Sequence, residues 1–360
     1  MAGLIQPAAL ARGHGRTSTH SEPGPVGTVS PVADTFTNPL YRGADPWVVR
    51  HDGWYYLCQS GAGGRIEVWK SRTLTHRGEC RVVWTPPSRG WNRAQVWAPE
   101  LHHVRGRWYI YYAASDGRNA NHRIGVLAAT SDDPQNPFED AGQLYTGDDV
   151  ATRSYNRWAI DGTVFELRDQ LYFAWSGWER DDDIQHLYVA PMSNPTTISG
   201  SRVRLCPNDC HPWERVGERR SERGLHEGPQ VLVRNGRIML VYSCSGSWQP
   251  TYKLGMLSMS EHAEPLEPAS WSKFTAPVFE STRDVFGVGH CCFTQSPDGT
   301  EDWILYHSKR FRHDCWSREV RAQRFTWRDD GFPDFGRPIP SGVLVSMPSG
   351  DRAATTRRVA

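Results

Sequence analysis

Five stretches of this chain share one plan: a small residue beside a polar one, a hydrophobic run, a Gly/Asp turn, and then an aromatic strand. The openings read GADPWVV (43–49), WAPELHHV (97–104), AIDGTVFEL (159–167), LHEGPQVLV (225–233) and VGHCCFT (288–294). Their polar residues are Asp45, Glu100, Asp161, Glu227 and His290, and the steps between them are 55, 61, 66 and 63 residues. Each step has room for one four-stranded sheet with its loops. The strands that follow, WYYLCQS (54–60), RWYIYYAAS (107–115), QLYFAWSG (170–177), RIMLVYSCSG (237–246) and DWILYHS (302–308), are short, aromatic and β-branched. Helical periodicity is hard to find. The expected fold is all-β, a five-bladed β-propeller over residues 36–346. Residues 1–35, rich in Gly, Pro, Ser and Thr, read as a flexible N-terminal tail, and 347–360 as a flexible C-terminal tail.

In a propeller the innermost strand of each blade lines the central channel, so a residue at the same place in every repeat points at one axis. The five polar groups are expected to converge there. Any one of them alone reads as a turn former. Together, convergent carboxylates repel and desolvate each other, which separates the roles of acid and base. Glycoside hydrolysis uses such a set: one carboxylic acid protonates the leaving oxygen while another activates water or attacks carbon.

Composition removes other classes. With 41 basic against 40 acidic residues, scattered along the chain, nothing supplies the one-sided field that nucleic acid or an anionic membrane surface needs. No run approaches the ~20 apolar residues of a membrane span. The 16 Trp residues suit sugar faces and protein cores equally. Eight cysteines permit four disulfides that a chain of this size does not need. Cys206 and Cys210, spaced C-x3-C, match neither a zinc knuckle nor a redox pair and leave a local disulfide open. A vicinal Cys291–Cys292 bridge would demand a distorted peptide unit.

The five openings, together with SREVRAQRFTW (317–327), resemble glycoside hydrolase family 43, and the likeness runs over roughly residues 37–340. LYFAWSGWE, MSNPTTISG, SPDGTEDWILYH and DGFPDFG are most similar to its exo-α-1,5-L-arabinofuranosidase branch. The resemblance implies an inverting hydrolase that releases terminal L-arabinofuranose from arabinan-type or arabinoxylan-type oligosaccharides. It implies Asp45 as the general base, Glu227 as the general acid, and Asp161 as the third carboxylate that tunes and orients the acid. In an inverting enzyme base and acid stand ~6.5–9.5 Å apart, leaving room for water. His290 is implied to sit at the channel centre, touching water or a metal such as calcium; the plain alternative is a buried His satisfied by its neighbours. The chemistry requires no cofactor and no catalytic metal is implied; one imidazole is a poor calcium site by itself, so a structural calcium near His290 would be largely hydrated. The chain departs from the branch just after this His, where Cys291 and Cys292 replace the usual Asn and Ser.

Arg318 aligns with an arginine that contacts sugar hydroxyls in the family, and a guanidinium's fixed donors suit that task. Arg321 differs from it by an odd number and should face the other side of the strand. Trp97 is expected to form an apolar wall, Trp175 and Trp178 flanking platforms, and Glu100 a structural group. The protein is expected to act as a monomer with an oligosaccharide as its partner. Export is slightly favoured, because polymers are trimmed outside the cell, although residues 3–11 lack a basic n-region and Gln6 and Pro7 interrupt them. Two rivals remain: a β-xylosidase on the same framework and a non-catalytic sugar-binding propeller. A retaining fructosidase is disfavoured, since GADPWV, APEL and HEGP stand where Asn-Asp-Pro-Asn, Arg-Asp-Pro and Glu-Cys would be expected.

Overall fold

Among the described residues almost all regular structure is strand, with only short 3-10 turns between. The structure, a computed structural model, describes residues 34–351. Most of the two expected tails, residues 1–33 and 352–360, lies outside the described residues. Five antiparallel sheets follow one another along the chain. Blade I comprises Trp47–His51, Trp54–Ser60, Ile66–Ser71 and Glu79–Trp84. Blade II comprises Ala94–Val104, Arg107–Ser115, Arg123–Ala129 and Phe138–Gln143. The first three strands of blade III are Ala159–Leu167, Gln170–Trp178 and Gln185–Asn194. Those of blade IV are His226–Arg234, Arg237–Cys244 and Lys253–Ser260, and those of blade V are Gly289–Gln295, Asp302–Lys309 and Arg318–Trp327.

Alternation along these strands sends successive side chains to opposite faces of a blade, and each face packs on the next blade. Apolar layers accordingly separate I from II, II from III, III from IV, IV from V, and V from I. Trp108, Trp175 and Trp303 are fully buried in three of them. Burying one large apolar side chain contributes ~1.5–3 kcal/mol, so these layers hold the ring together. Adjacent Cys291 and Cys292 follow the same rule, entering the IV–V and V–I layers respectively. All eight cysteines are free, Cys206 and Cys210 included.

The ring closes with a strand the sequence reading did not anticipate. Tyr41–Arg42 pairs with the third strand of blade V, in register Tyr41↔Val320 and Arg42↔Glu319. Asn38 reinforces the closure, its side chain bonding both the amide and the carbonyl of Ala322. Since Asp45 and Arg318 flank this seam, closing the ring also joins them. The ordered body reaches past the expected boundaries at both ends. Thr35–Thr37 pairs with Leu344–Ser346, Ser349 N donates to Glu301 at 2.9 Å, and Asp351 accepts from Leu74 N at 3.3 Å.

Candidate active site

At the start of each innermost strand one residue adopts a left-handed backbone: Asp45 (φ 49°), Ala98 (42°), Asp161 (54°), Gly228 (55°) and His290 (44°). Such φ values are uncommon for residues other than glycine and cost energy. In blades II to V the pairing register shifts at this point, which marks a β-bulge. Bulges re-aim side chains at the rims of closed sheets. Here they turn Asp161, Glu227 and His290 into the channel mouth. The true register corrects the expectation of five polar groups in line, because Ala98 and Gly228 hold the positions given to Glu100 and Glu227. Glu227 stands one residue before the bulge and still reaches the mouth. Glu100 stands two residues after it and lies deeper, its Oε1 accepting from Gln230 at 2.5 Å and its Oε2 paired with His102 at 2.9 Å.

Asp45 is faced by the basic side chains of Arg318 and His290. Arg318 Nη1 donates to its Oδ1 at 3.1 Å, and His290 Nδ1 lies 3.4 Å from the same oxygen. Burial works to raise the carboxyl's pKa, but the Arg318 guanidinium and then the His290 imidazole outweigh it and hold Asp45 well below the usual carboxylate range. His307 acts differently: its Nδ1 accepts from the Asp45 amide at 3.2 Å. Burial lowers the His307 pKa to about 4, so it orients Asp45 as a neutral ring.

Among the described residues Glu227 has only neutral hydrogen-bond partners. Gln185 Nε2 donates to Oε2 at 2.9 Å, and the buried Tyr252 hydroxyl donates to Oε1 at 2.8 Å. Each oxygen keeps a second position for a proton or a substrate. Asp161 receives the Gly228 amide at 3.0 Å and faces His290 Nδ1 at 3.8 Å. Burial raises the Asp161 pKa; His290 opposes this, and the charges of Glu227 and Asp45 add to it. Burial lowers the pKa of His290, but Asp45, Asp161 and Glu227 together outweigh this and raise it above the ordinary imidazole value. Gly228 permits this approach, since a Cβ there would lie 3.2 Å from His290 Nδ1.

Burial, with the neighbouring charges of Glu227 and Asp45, raises the Asp161 pKa to about 7, so Asp161 holds a proton beside the acid up to near-neutral pH. Asp161→Asn is therefore expected to move the basic limb of the kcat profile to lower pH, measured across pH 4–9. An unmoved limb would mean the two carboxyls are not coupled.

The pocket has a volume of about 470 Å³ and its walls include Trp97, Trp158, Ile160, Trp248 and Trp316, with Asp45, Asp161, Glu227, His290 and Arg318 among its polar groups. Trp97 is 36% exposed and stacks on His122 at 3.8 Å between centroids. Trp175 corrects the expectation of a platform: it is fully buried in the layer between blades II and III, against Tyr188. A middle strand's side chains face the neighbouring blades, not the axis, so an aromatic there packs. Trp178 is also withheld from the pocket; it stacks flat behind Trp158, 4.6 Å away at 9°. Arg321 points away from the site, bonding Ser308, Glu319 and Ser341. The sequence reading missed Trp158, Gln185, Tyr252, His307, Trp248 and Trp316. Only Trp158 carried a signal, as the residue preceding AIDG.

Calcium near His290 meets a poor ligand set. The cation asks for six to eight oxygens, whereas the nearest carboxylate, Asp45, is already engaged by Arg318. Among the described residues no group of three His, Cys, Asp or Glu is arranged to hold a metal.

Acid–base cleavage of a glycosidic bond needs the asymmetry seen between Asp45 and Glu227, and indole walls suit sugar faces. Fold and site thus define a propeller of the glycoside hydrolase class. The chain belongs to glycosyl hydrolases family 43, whose model matches residues 36–333. It is 34% identical over 329 residues to alpha-L-arabinofuranosidase 43 of Humicola insolens, covering 88% of this chain and 66% of that protein. The chain thus spans just under two thirds of that relative's length. It is 35% identical over 297 residues to an extracellular exo-alpha-(1->5)-L-arabinofuranosidase of Streptomyces chartreusis, covering 80% of this chain and 86% of that one. The crystal structure of an alpha-L-arabinofuranosidase from Lactobacillus brevis superposes with a TM-score of 0.77 at 34% identity, over 86% of this chain and 98% of that one.

Proposed function

We propose that this protein is an inverting exo-acting α-L-arabinofuranosidase that removes terminal arabinofuranose from arabinan-type or arabinoxylan-type oligosaccharides. The observation that carries the mechanism is the contrast between Asp45, clamped by Arg318 and His290, and Glu227, held by neutral donors. The similarity to proteins named arabinofuranosidases supports the substrate.

In this reading Asp45 takes a proton from a water as that water attacks the anomeric carbon from the face opposite the leaving oxygen. Glu227 donates its proton to that oxygen, and the C–O bond breaks without a covalent enzyme intermediate. Afterwards Asp45 is protonated and Glu227 ionised, and exchange with solvent resets both. Tyr252 and Gln185 fix the acid's orientation. Asp161 and His290 balance charge around it, Arg318 positions the base beside the sugar hydroxyls, and Trp97 walls the ring. No step uses a cofactor or a calcium ion. The name of the Streptomyces relative favours an extracellular site of action, and a monomer suffices, since every group in the mechanism comes from one chain. Among the described residues no helix is long and apolar enough to cross a membrane.

The test is a panel of nitrophenyl α-L-arabinofuranoside, nitrophenyl β-D-xyloside and linear arabino-oligosaccharides. Release of arabinose from the first and the last supports the reading; preference for the xyloside would overturn the substrate while leaving the fold in place.

A further inference from the structure

We propose that Trp248 and Trp316 form a clamp for the leaving-group sugar, and that Lys309 is the positioning residue that holds the clamp together. The proposal rests on the exo-acting arabinofuranosidase reading, in which one sugar fills the blind end of the pocket and the next points to solvent.

Exposure along the pocket separates these two places. Trp158 is 3% exposed, and Ile160, Asp161 and Glu227 beside it are also buried. Trp316 is 64% exposed, and Trp248, half-buried, lies beside it with ring centroids 5.6 Å apart and planes tilted by 50°. A tryptophan left this open beside a second one makes an apolar surface at the mouth of a polar pocket. Sugars offer an apolar face on one side and hydroxyls on the other, and an indole matches the first. The Arg318 guanidinium stands 5.6 Å from the Trp316 ring, which ties this surface to the partner of Asp45.

The two indoles come from different blades, on loops that no strand pairs. Trp248 follows the second strand of blade IV, and Trp316 precedes the third strand of blade V. Lys309 spans the gap: its Nζ donates to the carbonyl oxygen of Trp248 and to that of Cys315 at 2.7 Å. Cys315 N also donates to Trp248 O, at 2.9 Å. Lys309 is 2% exposed and makes no ion pair among the described residues. Burying an ammonium without a carboxylate is costly, and charge-assisted bonds to the two carbonyls offset the cost. The path of its stem is built in. Gly287, at φ 61°, runs under it, and a Cβ there would come within 2.6 Å of Lys309 Cγ and Cδ. Gly246 likewise lets Trp248 lie against the backbone, where a Cβ would meet the indole at 2.8 Å.

The test compares arabinotriose with methyl α-L-arabinofuranoside, whose leaving group is too small to reach the clamp. In Trp316→Ala the ratio of kcat/KM for arabinotriose to that for the methyl glycoside is expected to fall about tenfold, through a raised KM and not a lowered kcat. Lys309→Met keeps the stem and removes the donors, and it is expected to shift the ratio in the same direction. Should Lys309→Met fail to fold, Trp316→Ala, an exposed position, decides the matter. An unchanged ratio in Trp316→Ala overturns the clamp while hydrolysis of the methyl glycoside by the unsubstituted protein upholds the arabinofuranosidase reading. If the unsubstituted protein cleaves neither substrate, that reading falls and the clamp with it.

Discussion

Asp45→Ala is expected to lower turnover roughly 10²–10⁴-fold on every substrate, because water must be activated whatever group leaves. Two effects combine. The carboxylate that accepts the proton is gone, and Arg318 and His290, which had faced it at 3.1 and 3.4 Å, lose their shared counter-charge. Ala is also strained at φ 49°, so Asp45→Asn is the cleaner variant: it keeps the shape and tolerates the left-handed backbone. It should lose about as much as Asp45→Ala. Steady-state rates on an aryl arabinofuranoside and on arabinobiose measure both. Retention of activity on either substrate by Asp45→Asn would remove Asp45 from the role of base.

Glu227→Ala should behave differently, and the difference is chemical. The second arabinose of arabinobiose departs as an alkoxide unless its oxygen is protonated, so the variant should lose roughly 10²–10⁴-fold on that substrate. A dinitrophenyl leaving group is stable as an anion and needs little protonation, so the loss there should be far smaller. The fold should survive, because Tyr252 and Gln185 lose only a hydrogen-bond acceptor at the pocket wall. Comparing the two substrates in both variants separates acid from base. Equal sensitivity to the leaving group in Glu227→Ala and Asp45→Ala would contradict the assignment of roles.

The repeat was legible because each opening combines a left-handed residue, often followed by Pro or Gly, with an apolar run, and these local features recur at blade spacing. The register within the repeat was not. A β-bulge adds a residue to one strand without leaving a composition signal, so Glu100 and Glu227 were aligned with Asp45 although neither holds the equivalent backbone position. Trp175 was misread because an aromatic in a propeller strand has the same sequence signature whether it faces a sugar or the next blade; only its place on a middle strand sends it to the core. The partners of the carboxylates were the hardest to see. Gln185 reaches Glu227 across 42 residues and His307 reaches Asp45 across 262. Both lie in strands that look like any other blade strand, and ring closure alone brings the second pair together. The seam formed by Tyr41–Arg42 is two residues long, too short to carry a period.

The most direct test of the account is the configuration of the sugar at the moment of release. One-step displacement by a water held on Asp45, opposite an acid at Glu227, inverts the anomeric centre. Proton NMR of an α-L-arabinofuranoside digest, followed from the first seconds before mutarotation scrambles the signal, should show the β-anomer of arabinose first. Appearance of the α-anomer first would mean a double displacement through a covalent intermediate, and would contradict the division of labour between Asp45 and Glu227.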